Sequence, residues 1–228
     1  MACIRASQQN GVCMPISTVL FDLDNTLYPA SSGLMKGIDV RINAYVMNLL
    51  GISEAESQQL RKKYYAEYGT TLHGLQRNYA VDPDHYLSYV HDVAIESFLA
   101  SDAELNHLLS ELRAVKAIFT NSPEPYARRV LRVLGIEPHF TEVFDIRFAN
   151  FTPKPHPVAY QRVLDALAVA GDATILVEDT HSNIPPARAL GMTTILVGDA
   201  ANISDPRADY VVPDVLEAVR VAISLTDE

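Results

Sequence analysis

Cysteine is scarce in this chain: Cys3 and Cys13 are the two in 228 residues, both near the N-terminus. Two such residues make no disulfide framework, so a reducing compartment is expected and the cytoplasm is the default. Long apolar runs are missing. No stretch approaches the ~20 apolar residues of a membrane helix, and the N-terminal stretch shows no signal-peptide pattern. Basic residues are few, 18 Lys and Arg against 28 Asp and Glu, for a formal net charge of −10. A surface this poor in cations is ill suited to displacing counterions from a nucleic-acid polymer or to docking on anionic lipid. A small phosphorylated ligand stays open, because one bound cation and one or two lysines reverse the field locally. Internal repeats and low-complexity tracts are absent too. Nothing in the pattern separates a monomer from a homodimer.

What is present is an ordinary globular composition, 48% hydrophobic and 20% charged. Short apolar runs recur: Thr18 to Phe21, Val115 to Phe119, Thr174 to Val177, Thr194 to Val197 and Tyr210 to Val212. Each gives way to polar or turn-forming residues, as buried parallel strands do. Helical patterns over 123–134, 156–170 and 183–190 lie between them. The alternation predicts an α/β fold with a doubly wound parallel sheet. Residues 33–111 interrupt it. Leu34, Ile38, Ile42, Tyr45, Val46 and Leu49 recur at helical spacing, and about four helices with no strand are expected there. The expected organisation is a disordered leader over 1–15, an α/β core over 16–32 and 112–228, and a helical insert over 33–111.

Ligands of such sheets sit beyond the carboxyl ends of the strands, so the residues ending each run are the candidates. Asp22 and Asp24 follow the first run. Two close carboxylates repel unless a cation lies between them, and Mg²⁺ suits carboxylate oxygens, water and phosphate. One carboxylate can attack phosphorus while the other moves protons. Taken alone, the same residues also make an Asp-rich turn. Thr120, Asn121 and Ser122 follow the second run, where hydroxyl, amide and N–H groups form either a phosphate cradle or a helix cap. Lys154 stands among Pro153, Pro155 and Pro157. It is either a fixed counter-charge or a surface lysine. Glu178 and Asp179, with Asn183 beyond them, complete a magnesium site or form a solvated loop.

Together, the order Asp-Leu-Asp-Asn-Thr, Thr-Asn, Lys-Pro and Glu-Asp over residues 16–215 resembles the haloacid dehalogenase-like (HAD) hydrolase superfamily. The resemblance implies a Rossmann-like core with a helical C1-type cap that closes on the cleft and supplies specificity. It implies a Mg²⁺-dependent phosphatase acting on a small phosphorylated metabolite. Asp22 would be the nucleophile and Asp24 the general acid/base, its carbonyl touching the metal. Thr120 and Asn121 would hold phosphoryl oxygens, Lys154 would orient Asp22, and Asp179 would bind metal with Glu178 as direct ligand or helper. The superfamily's dehalogenases use the first aspartate without the second and need no magnesium, so Asp24 and the Glu178-Asp179 pair favour phosphoryl transfer. The Leu27-Tyr28-Pro29 segment and the stretch from Tyr68 to Leu75 resemble the pyrimidine 5′-nucleotidase branch. That resemblance makes Tyr68, Thr70, Thr71 and His73 candidate specificity residues. A mutase of the β-phosphoglucomutase type and a broad sugar-phosphate phosphatase remain alternatives, as does a catalytically quiet binding protein.

Overall fold

A computed structural model describes residues 15–198 and 207–227. Residues 1–14 of the expected leader, and with them both cysteines, lie outside the described residues. The five apolar runs and one further short segment form six parallel strands: β1 (Thr18–Phe21), β2 (Val115–Phe119), β3 (Glu142–Phe144), β4 (Thr174–Glu178), β5 (Thr193–Val197) and β6 (Tyr210–Val212). They pair in the order β3-β2-β1-β4-β5-β6. Side chains alternate across the sheet, as the two-residue strand period requires. Val19 and Phe21 enter one apolar cluster, while Leu20 enters the other. Both faces are covered, so each strand reads as a continuous apolar run rather than an alternating one. The chain leaves β1 for β2 on one side and returns to β4 on the other. This reversal of strand order is where a crevice opens at the carboxyl edge.

Nine helices are described: α1 (Leu34–Leu50), α2 (Glu54–Tyr68), α3 (Thr71–Asn78), α4 (Pro83–Val90), α5 (Ala103–Glu111), α6 (Glu124–Leu134), α7 (Pro157–Leu167), α8 (Ile184–Ala189) and α9 (Val215–Thr226). Side chains of α5, α6 and α9 pack on one face of the sheet and those of α7 and α8 on the other. A third cluster joins α1 through α4 around Tyr45, Val46, Tyr64, Leu75 and Tyr86. Ile146, from the loop after β3, is buried in that cluster, and Arg147 pairs with Asp84 at 2.7 Å. The insert therefore rests on the carboxyl edge of the sheet.

Several elements differ from the sequence expectation. β3 is only three residues long, too short for a periodicity to register. α9 does carry a signal: Asp214 caps it, and Val215, Ala218, Val219 and Ala222 share its buried face. α3 is a separate helix within the stretch that resembles the nucleotidase segment. α7 stops at Leu167, where Ala168 turns left-handed at φ 51°. α5, expected within the insert, packs on the sheet instead. Its Leu105 and Leu109 are fully buried in the cluster that also holds Val19 and Phe21 of β1, and Glu104 pairs with Arg220 of α9. Helical periodicity identifies an apolar face but not the partner that covers it.

Candidate active site

β1 delivers Asp22 to the carboxyl edge, and the parallel register sets its neighbours. Phe21 is level with Ile118 of β2 and Val177 of β4, so Asp22 lies beside Phe119 and Glu178. Lys154 comes from the proline-flanked loop before α7 and is 2% exposed. Its Nζ donates to Asp22 Oδ1 at 2.7 Å, to Glu178 Oε2 at 2.7 Å and to the Phe119 carbonyl at 2.8 Å. All three ammonium protons are thereby used. Thr26 Oγ1 donates to the other Asp22 oxygen, Oδ2, at 3.1 Å. The carboxylate is fixed at both ends.

The charges do not balance. One ammonium is shared between two buried carboxylates, with Asp179 and Asp24 close by. Burial works against the charge on Lys154, but Asp22 and Glu178 more than offset it and hold its pKa above the usual lysine range. Burial, and then repulsion from Glu178 and Asp24, pushes Asp22 up to about 7. Asp179 is raised to about 6 by burial and by Asp22. Burial raises Glu178 as well, against the pull of Lys154. Carboxylate oxygens of Asp22, Glu178 and Asp179 all lie within 4.8 Å of one another. An all-oxygen, electron-rich cluster of this kind fits a hard divalent cation. Glu178 has both oxygens engaged, Oε2 by Lys154 and Oε1 by the Thr180 N–H at 3.1 Å.

The loop after β2 carries the next group. Thr120 Oγ1 accepts from the Ser122 N–H at 3.0 Å. The Asn121 side chain is spent on the lysine loop: it donates to the Lys154 carbonyl at 3.1 Å and accepts from the Lys154 N–H at 2.8 Å. That clamp holds the backbone carrying the buried ammonium. Asp24 accepts from Tyr28 at 2.5 Å, Tyr126 at 2.8 Å and Ser122 at 2.5 Å.

A cavity of about 340 Å³ opens between this edge and the insert. It is lined by Asp22, Asp24, Thr120, Asn121, Ser122, Lys154, Glu178, Asp179 and Asn183 from below. The candidates that end the apolar runs of the core thus reach one space with Lys154. Of the four insert candidates, Thr70 and Thr71 line it, while Tyr68 and His73 are not among its described lining residues. His73 Nδ1 lies 3.2 Å from the Tyr68 carbonyl, and Thr70 caps α3. Between them Gly69 ends α2 at φ 81° and turns the chain.

The wall of the insert includes residues with no motif to mark them as site residues: Met35, Ile38, Asp39, Arg61, Tyr65 and Tyr86. Arg61 pairs with Asp39, yet its Nε is buried with no hydrogen-bond partner among the described residues. Tyr65 lines the same cavity as Asp22, Glu178 and Asp179, and burial and then the charges of Asp179, Glu178 and Asp22 raise its phenol pKa. Helical spacing marks these residues only as one more face; docking of α1, α2 and α4 over the sheet turns that face into a wall.

Similarity to known proteins agrees with this geometry. Phosphate metabolism protein 8 of Saccharomyces cerevisiae is 27% identical over 192 residues, 77% of this chain and 60% of that protein. The chain thus spans less than two thirds of that relative's length. Phosphoglycolate phosphatase of Pectobacterium atrosepticum is 26% identical over 208 residues, 84% of this chain and 86% of that protein. Among solved structures, a HAD phosphatase from Thermococcus onnurineus superposes with a TM-score of 0.62 at 19% identity, covering 90% of this chain and 97% of that one. The family model for haloacid dehalogenase-like hydrolases matches residues 16–191, and the chain belongs to that family.

Proposed function

We propose that this protein is a magnesium-dependent phosphohydrolase that removes the phosphoryl group of a small phosphomonoester through an aspartyl-phosphate on Asp22. One observation carries the reading. Lys154 is buried with its ammonium on Asp22, and Asp24 stands at the same edge as a separately held carboxylate. That pairing suits a nucleophile and a proton-transfer group with different tasks. An Asp22 oxygen attacks phosphorus, and the bond from phosphorus to the leaving oxygen breaks. Asp24 gives its proton to that oxygen. Asp24 then takes a proton from water, whose oxygen attacks phosphorus and releases phosphate from Asp22. Lys154 and Thr26 keep the nucleophile aligned throughout, where positioning counts for most of the catalysis. Asp22 and Asp179 would hold Mg²⁺, with the Asp24 carbonyl beside it, while Glu178 holds Lys154. Bound there, the ion would supply charge neutralisation for the phosphoryl oxygens.

The substrate class we favour is a pyrimidine nucleoside 5′-monophosphate. The cavity, about 340 Å³, lies in the ~300–1,000 Å³ range of small-molecule sites. Its upper wall combines Ile38, Tyr65 and Tyr86, suited to a flat ring, with the Arg61–Asp39 pair, suited to polar ring edges. The names of the phosphoglycolate phosphatase relatives make that smaller substrate the main competitor.

The deciding experiment measures phosphate release from UMP, CMP, AMP, phosphoglycolate, sugar phosphates and p-nitrophenyl phosphate, with and without Mg²⁺. UMP or CMP should lead, and release should vanish without metal and in Asp22→Asn. Preference for another monoester would overturn the nucleotide reading and keep the chemistry. Turnover that needs a sugar bisphosphate would mark a mutase. Folded protein inert on every ester would refute hydrolysis.

A further inference from the structure

Asp24 carries more hydrogen-bond donors than a carboxylate needs merely to sit at a sheet edge. Tyr28 and Tyr126 both donate to Oδ1, at 2.5 and 2.8 Å, and Ser122 donates to Oδ2 at 2.5 Å. The two phenol oxygens are 3.2 Å from each other. They reach Asp24 from different parts of the chain. Tyr28 follows it by four residues, Ser122 lies in the loop after β2, and Tyr126 is in the first turn of α6. Tyr28 and Tyr126 are 2% and 3% exposed. Burial and the nearby Asp24 charge push both phenols far above the tyrosine range, so both remain protonated donors.

The donors are distributed unevenly, and that asymmetry has a chemical meaning. A carboxylate oxygen offers about two lone-pair positions. Oδ1 has both filled by the phenols. Oδ2 has one filled by Ser122 and one open. We infer that Tyr28, Tyr126 and Ser122 are positioning residues for proton transfer, locking the rotation of Asp24 so that Oδ2 is the oxygen that exchanges the proton. In the first step the Oδ2–H bond breaks as the new bond from hydrogen to the leaving oxygen forms. The electron pair of the broken P–O bond stays on that leaving oxygen. This inference rests on the general acid/base role proposed for Asp24, and its test separates the two.

The test uses leaving groups of different proton demand, in the full chain with Mg²⁺. An alkoxide must be protonated as it departs; p-nitrophenolate departs without a proton. The quantity measured is kcat/KM, which reports steps up to transfer onto Asp22 and not the later hydrolysis. Substrates are p-nitrophenyl phosphate and the alkyl phosphate ranked first by the panel. Asp24→Ala should lower kcat/KM for the alkyl ester by about 10²–10⁴-fold, the usual span of general acid catalysis, and that for the aryl ester far less. Tyr28→Phe and Tyr126→Phe should each lower the alkyl value by roughly 10-fold or more, a share of the same effect, and leave the aryl value within about twofold. Thermal unfolding checks each variant, and Ser122→Ala supplies the same comparison if a buried phenol proves necessary for folding. Equal losses on both esters, or no loss on either, in Tyr and Ser variants alongside a selective Asp24→Ala would overturn the positioning role alone. Equal losses in Asp24→Ala would overturn the acid/base role and the inference with it.

Discussion

Lys154 shares one ammonium between Asp22 and Glu178, so its removal leaves two buried carboxylates uncompensated. Lys154→Ala should destabilise the protein by about 3–5 kcal/mol, the usual cost of breaking a buried pair from one side. A chemical-denaturation midpoint measures this. Lys154→Arg should not restore phosphate release, because a planar guanidinium cannot aim three donors at Asp22, Glu178 and the Phe119 carbonyl as an ammonium does. Asp22 pulls stability the other way. Its folded-state pKa of about 7, and about 6 for Asp179, exceed the ordinary 3.8, so the metal-free folded chain keeps protons that the unfolded chain releases. That stabilisation is present below about pH 4 and is lost as pH rises to 7. Asp22→Asn should therefore flatten the metal-free stability profile between pH 4 and 7. It should also raise the melting temperature at pH 7.5 by roughly 5 °C. A profile as steep as that of the native protein would contradict the crowded-carboxylate account.

Helix α3 packs against α2 through Gly74, where an added Cβ would meet the Tyr64 ring at 2.2 Å. Gly74→Ala should cost about 1–3 kcal/mol through overpacking. Because Tyr64 belongs to the cluster of the insert, the loss should raise KM before it lowers core stability, which hydrogen exchange in α2 and α3 would localise. Gly69 sits closer to the chemistry. Its Cβ would stand 3.4 Å from the Lys154 carbonyl and from Pro153, so the end of α2 rests on the loop that supplies the lysine. In the wall above, Arg61→Ala should raise KM by about tenfold with kcat little changed, the pattern of lost uniform binding. A fall in kcat at constant KM would show instead that Arg61 acts on the transition state.

The molecule places a negatively charged cleft between a parallel sheet and a helical insert, in a chain of net charge −10. An anionic substrate meets that field unfavourably until a cation enters. Mg²⁺ should raise the melting temperature of the native protein at pH 7.5 and leave Asp22→Asn and Asp179→Asn nearly unmoved, as thermal scans with and without EDTA would show. Much of this arrangement was legible in the amino-acid sequence. Asp22, Glu178 and Thr120 end apolar runs, and a parallel sheet brings run ends to one edge whatever the details of packing. Lys154 was visible through its prolines. The insert was visible because its apolar spacing changes from strand runs to helical recurrence. Other features depend on contacts between distant segments, where periodicity says that a residue is buried or facing but not what it faces. Ser122 and Tyr126 meet Asp24 across 98 and 102 residues. Asn121 closes on the lysine loop across 33. Arg61 and Tyr65 become a wall only because the insert brings α2 to the cavity that Asp22 and Lys154 also line, and α5 meets α9 from the far end of the chain. Local chemistry at strand ends is written in short stretches of chain. The hydroxyls that meet Asp24 and the wall that the insert sets over the cavity are products of tertiary packing.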